Sequence, residues 1–121
     1  MKIAICDDQA SALRHTLQQV SAVCPQSEIT TFLRIAELFK KVKDGERFDA
    51  VFMDIEWDGE EKGGIDFASE LYKLSPKTKI IFVTGYPARY SQEIFLKYTN
   101  LMGFIAKPIN IDILQKKYRK D

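Results

Sequence analysis

Residues 50–54 read AVFMD, four apolar residues closed by Asp54. A short run that is apolar without alternation fits a strand buried on both faces, the pattern of a parallel sheet covered by helices. Three more runs have the same form. KIAIC at 2–6 is followed by Asp7 and Asp8, KIIFVT at 79–84 ends on Thr84, and MGFIAK at 102–107 ends on Lys107. Working outward, the intervening stretches carry helical spacing. Ala10, Leu13, Leu17 and Val20 mark a helix over 10–22, and Ile35, Leu38, Phe39 and Val42 mark a second, closed by Asp44-Gly45. Ile65, Ala68, Leu71 and Tyr72 mark a third helix that Ser75-Pro76 stops. A short strand is expected near Glu28–Phe32, a fourth helix over roughly 89–100 with a less clear apolar stripe, and a last helix capped by Asn110.

Five strand–helix units in series predict a single α/β domain, a parallel sheet with helices on both faces. Right-handed crossovers leave few topologies. The flavodoxin-like order 2-1-3-4-5 sets the first and third strands side by side, and ligands of such sheets bind outside the carboxyl ends of the strands. Asp7, Asp8 and Asp54 then become neighbours, with Thr84 and Lys107 on the next strands. Three acids, a hydroxyl and a lysine on one rim suit a divalent cation and a phosphoryl group. A carboxylate there can act as the nucleophile.

Each residue alone has an ordinary explanation. An acid pair after a strand is most often a turn or a helix cap. A strand-end threonine reflects β propensity, and a lone lysine is usually a surface residue. The conjunction is what carries chemistry. Clustered carboxylates raise one another's pKa, and Mg²⁺, which takes hard oxygen ligands, removes the conflict. Phosphoryl transfer asks the protein mainly for positioning and charge neutralisation.

Composition excludes other classes. The 121 residues, 45% of them apolar, make one domain with a real core. Eighteen basic residues balance 17 acidic ones, so no global footprint for nucleic acid or an anionic membrane exists. The opening MKIAICDDQA is not a signal peptide, and no run approaches a membrane span. Cys6 and Cys24 lack metal spacing, and a reduced, cytoplasmic setting is expected.

With CDD at 6–8, FMD at 52–54, FVTG at 82–85 and AKP at 106–108, the chain resembles the receiver domain of bacterial two-component response regulators over essentially its whole length. The resemblance implies a CheY-like switch that takes a phosphoryl group from a histidine kinase onto Asp54, using Mg²⁺. It implies that Asp8 ligates the metal directly, Asp7 mainly through water, and that Asp54 and the main-chain carbonyl of Glu56 complete the protein ligands. It implies that Thr84 and Lys107 hold the phosphoryl group, that Lys107-Pro108 is cis, and that Phe104 is the switch aromatic working with Thr84. Self-phosphorylation and autodephosphorylation would be its only catalysis, with Glu56 and Tyr86 influencing the latter. MDIE at 53–56, GGIDFASEL at 63–71 and GFIAKPI at 103–109 look like receivers of LytTR-type transcription regulators.

Two features depart from the family pattern. Asp58 stands where many receivers carry proline, and the charged loop 56–63 is about two residues longer than usual. The loop reads first as a tolerated surface insertion and second as a determinant of partner choice. Readout is expected on the face of the fourth helix, fifth strand and fifth helix, including Tyr90, Glu93, Lys97 and Tyr118, where a receiver homodimer or an output domain would dock. A lone strand phenylalanine such as Phe104 reads equally well as fixed core. DNA would be reached only through an output domain beyond residues 1–121. The alternatives are a stand-alone receiver acting through protein contacts, a pseudo-receiver, or an aspartate-nucleophile phosphohydrolase. The hydrolase pattern requires DxD on the first strand, which this chain lacks.

Overall fold

The computed structural model describes residues 1–59, 63–86, 89 and 101–118. Five strands form one sheet: β1 (Lys2–Cys6), β2 (Glu28–Phe32), β3 (Ala50–Asp54), β4 (Lys79–Thr84) and β5 (Leu101–Ala106). All neighbours pair in parallel, in the order β2-β1-β3-β4-β5. This is the doubly wound order expected from the sequence.

The period of two along each strand divides the core between the two faces. Ile3 and Ile5 of β1 join Phe52, Ile81, Val83 and Ile105 on one face. Helices α1 (Ala10–Val23) and α4 (Ile111–Tyr118) cover it with Leu13, Val20 and Leu114. Ala4 and Cys6 join Val51, Met53, Ile80 and Phe82 on the other face. There α2 (Ile35–Lys43) and α3 (Gly63–Leu74) supply Leu38, Val42, Ala68 and Leu71. Phe82 is fully buried at the centre of that layer, a contribution of about 2–3 kcal/mol.

Local chemistry fixes the helix ends. Gly45, at φ +101°, turns the chain after α2, a conformation glycine adopts without strain. Lys40, Lys41 and Lys43 in the last turn of α2 complement its dipole. The Asn110 side chain accepts the Asp112 N–H at 2.7 Å, the expected N-cap of α4. Two contacts then tie the segment after β5 to α1. His15 Nε2 lies 2.9 Å from the Ile109 carbonyl, and Gln19 Oε1 accepts the Ile111 N–H at 2.9 Å. None of the described helices is long and apolar enough to cross a membrane. The fourth helix expected over 89–100, with Tyr90, Glu93 and Lys97, lies outside the described residues, apart from Arg89.

Register places the rim. Cys6 pairs with Met53, so the next residue, Asp7, lies level with Asp54. Asp54 pairs with Val83, setting Thr84 one step further out. Thr84 pairs with Ala106, which puts Lys107 one step beyond Thr84.

Candidate phosphoryl and metal site

Asp7 and Asp54 are buried, at 3% and 2% exposure, although both are acids. With half-buried Asp8 they offer carboxylate oxygens within 4.8 Å of one another. Asp7 is already satisfied: Oδ2 accepts the Lys107 ammonium at 2.8 Å and Oδ1 accepts the Gln9 N–H at 2.9 Å. Asp54 is not. Its Oδ1 lies 3.1 Å from Lys107 Nζ, close enough for an ion pair. This buried oxygen nevertheless has no hydrogen-bond partner.

The electrostatics follow from that geometry. Burial first, then the charge of Asp7, push the Asp54 carboxyl up to about 7; Lys107 works against them and Glu56 adds to them. Burial by itself would depress the Lys107 ammonium. The hydrogen bond to Asp7 and the charges of Asp54 and Asp7 outweigh it, so its pKa is raised. Burial and the adjacent Asp7 charge raise the Cys6 thiol far above its ordinary range, leaving it a neutral core residue.

Three convergent carboxylates with one orphaned oxygen fit a small hard cation, which prefers oxygen donors and tolerates one or two carboxylates plus water. Asp8 Oδ2 accepts the Asp58 N–H at 2.6 Å, which ties the charged loop to the acid cluster.

Thr84 has a partner that the sequence did not name. Its hydroxyl is fully buried and donates to the Glu56 carboxylate, 2.8 Å from Oε1 and 2.8 Å from Oε2. It also accepts the Tyr86 N–H at 3.0 Å. A buried hydroxyl needs an acceptor, and the carboxylate two residues past Asp54 provides one. Tyr86 is 55% exposed, with the Arg89 guanidinium stacked 4.2 Å from its ring centre. Phe104 is half-buried, its ring tilted against Phe82 with centroids 5.4 Å apart. Lys107-Pro108 is cis, as the resemblance implied.

Two residues of the site were not singled out from the sequence. Trp57 is buried, and its Nε1–H donates to the main-chain carbonyl of Asp54 at 2.7 Å. Its ring meets Phe67 edge-on at 5.3 Å, and Phe67 in turn meets Phe39 of α2 at 6.4 Å. Gly64 closely approaches the same carbonyl. A Cβ there would sit 1.9 Å from Asp54 O, and the Gly64 N–H donates to Ile55 O at 2.8 Å. The available signals were a single tryptophan three residues past Asp54 and a glycine pair opening a helix.

The profile of the response regulator receiver domain matches residues 3–119. The chain belongs to the response regulator receiver family. Solved structures agree with this. A CheY-like receiver domain protein from Methanospirillum hungatei is 29% identical, with a TM-score of 0.73 over 95% of this chain and 88% of that one. Response regulator protein TrrA from Thermotoga maritima, solved in complex with Mg²⁺–BeF, is 28% identical, with a TM-score of 0.71 over 96% of this receiver and 94% of that chain. The N-terminal domain of a response regulator/sensory box/GGDEF protein from Carboxydothermus hydrogenoformans shares the fold, with a TM-score of 0.79 at 22% identity over 96% and 89% of the two chains. No curated protein matches the sequence. As a receiver of a two-component response regulator, the domain serves signalling rather than metabolism. Receivers bind Mg²⁺ at an acidic pocket, and this chain brings together a cluster of three carboxylates, those of Asp7, Asp8 and Asp54.

Proposed function

We propose that this receiver is switched by phosphorylation of Asp54. The observation that carries the reading is the buried Asp54 carboxylate at the end of the central strand, with its orphaned Oδ1 facing Lys107 beside Asp7 and Asp8. In the step, a bond forms from an Asp54 carboxylate oxygen to phosphorus. The P–N bond of a histidine kinase's phosphohistidine breaks, and its electron pair leaves with the imidazole. Lys107 neutralises charge on the incoming group, and Asp7 holds Lys107 in place. Asp8, Asp54 and the main-chain carbonyl of Glu56 would hold Mg²⁺, with Asp7 acting through water. When bound, the ion supplies charge neutralisation for the phosphoryl oxygens. Thr84 donates its hydroxyl to the phosphoryl group once Glu56 has released it, and Phe104 follows Thr84 as the switch aromatic.

The wider context is proposed from sequence flavour. The motifs around Asp54, Gly64 and Lys107 support a LytTR-type transcription regulator, with residues 1–121 as its receiver and DNA contacted by a separate output domain. Free Cys6 and Cys24 support a cytoplasmic setting. A receiver homodimer or output domain would dock on β5 and α4, together with Tyr90, Glu93 and Lys97, which lie outside the described residues.

The deciding experiment is incubation with acetyl phosphate and Mg²⁺, followed by intact mass. One phosphoryl group should be added, and Asp54→Asn should abolish the addition. Unchanged labelling of that variant overturns the assignment.

A further inference from the structure

A threonine hydroxyl has one proton to give. In this receiver that proton is committed to Glu56, whose two carboxylate oxygens are equidistant from Thr84 Oγ1 at 2.8 Å. The lone pairs of the same oxygen accept the Tyr86 N–H. A phosphoryl oxygen arriving at Asp54 therefore finds no proton at Thr84 while Glu56 stays in place. It also meets a carboxylate charge already on that hydroxyl.

The two partners differ in freedom. Thr84 is fully buried, whereas Glu56 is half-buried. The main chain between Asp54 and Trp57 is held, because the Trp57 indole is bonded back to Asp54 O and the Ile55 N–H to Val83 O. Release therefore involves rotation of the Glu56 side chain.

We infer that Glu56 is a latch on Thr84, an internal anion that occupies the hydroxyl in the resting receiver and is exchanged for the phosphoryl group on activation. Glu56 is a positioning residue here. It sets the threshold for the active state by making one anion displace another. The inference rests on the phosphoacceptor reading of Asp54 and deepens it.

The test is a titration with beryllofluoride in saturating Mg²⁺, followed by calorimetry, for the native receiver, Glu56→Ala, Glu56→Gln, Thr84→Val and the Glu56→Ala/Thr84→Val double variant. Glu56→Ala should bind about tenfold more tightly, the scale of one hydrogen bond to a charged group. Glu56→Gln keeps the shape and an acceptor without the charge, and should gain about threefold on the same scale. In the Thr84→Val background, Glu56→Ala should change affinity by less than about twofold, because no hydroxyl remains to be released. The Tyr86 amide resonance, bonded to Thr84 Oγ1, should shift in unliganded Glu56→Gln and confirm that the contact exists in solution.

Affinity of Glu56→Ala within twofold of native overturns the latch. So does an undiminished gain in the Thr84→Val background, which would mean simple charge repulsion. Binding by Glu56→Ala but not by the native protein supports it. Asp54→Asn separates the two ideas. If that variant binds as well as native, the phosphoacceptor reading fails; if it does not bind and Glu56→Ala gains nothing, only the latch fails. Absence of binding by native and Glu56→Ala alike removes both.

Discussion

At the amino rim of the sheet, buried Thr78 donates its hydroxyl to Phe48 O at 2.8 Å and so takes the Ser75 hydroxyl proton at 2.6 Å. Asp49 Oδ2 there accepts the Lys2 N–H at 2.7 Å. At the carboxyl rim, Asp54 Oδ1 is buried with no hydrogen bond, beside a second buried acid. Thr78 and Ser75 are buried as deeply as Asp54, yet their polar atoms are hydrogen-bonded at one end of the strands while an Asp54 oxygen lacks a hydrogen bond at the other. The difference teaches where this receiver concedes stability. An unmatched group remains where a ligand is to be taken up, and the opposite end has none of that kind among the residues described.

The largest expected effect sharpens the carboxyl rim. Gly64→Ala drives a Cβ against the Asp54 carbonyl, to which the Trp57 indole is already bonded. Because neither neighbour is the end of a flexible side chain, the loss should be about 3 kcal/mol or more, the upper range of overpacking. Urea denaturation should show a lower midpoint together with weaker labelling of Asp54.

Next comes the amino rim. Thr78→Val keeps volume but leaves Phe48 O without its bond from Thr78 and removes the acceptor for Ser75. The expected loss is about 2 kcal/mol, with labelling of Asp54 by acetyl phosphate unchanged. An effect on labelling would break the separation of the two rims.

A third effect carries the opposite sign. The Asp54 carboxyl is held at about 7 in the folded receiver, above the ordinary 3.8. The folded state therefore binds the extra proton. Without Mg²⁺, stability should fall as pH rises through that window and level off above it. Asp54→Asn should flatten this slope and raise stability at pH 8. Added Mg²⁺ should stabilise the native receiver by mass action, and Asp8→Ala should remove most of that gain. Urea midpoints across pH, with and without the metal, check all of this. A native receiver whose stability rises through the same window would show that Asp54 is not the strained group.

Much of this was legible before any coordinates. The runs at 2–6, 50–54 and 79–84 could be read because a doubly covered strand has no polar positions, and their terminal residues then mark the rim by register alone. What stayed hidden depended on direction rather than placement. Nothing in the order of residues says that the Thr84 proton turns to Glu56, since a hydroxyl rotates to whichever acceptor folding leaves nearest. The reach of Trp57 back to Asp54 O was equally hidden, because a large aromatic next to a charged loop reads as ordinary core until its N–H has a partner. The Gly63-Gly64 pair was visible, but its reason is a distance of closest approach, which no spacing rule contains.

The loop between those two residues is clamped at both ends: the Asp58 N–H is bonded to Asp8 and the Gly64 N–H to Ile55 O. Between fixed ends, each doubling of chain length costs only about 0.6 kcal/mol of closure entropy. The span from Asp58 to Gly63 is therefore a place where a foreign peptide can be spliced in, as an epitope or a sensor graft.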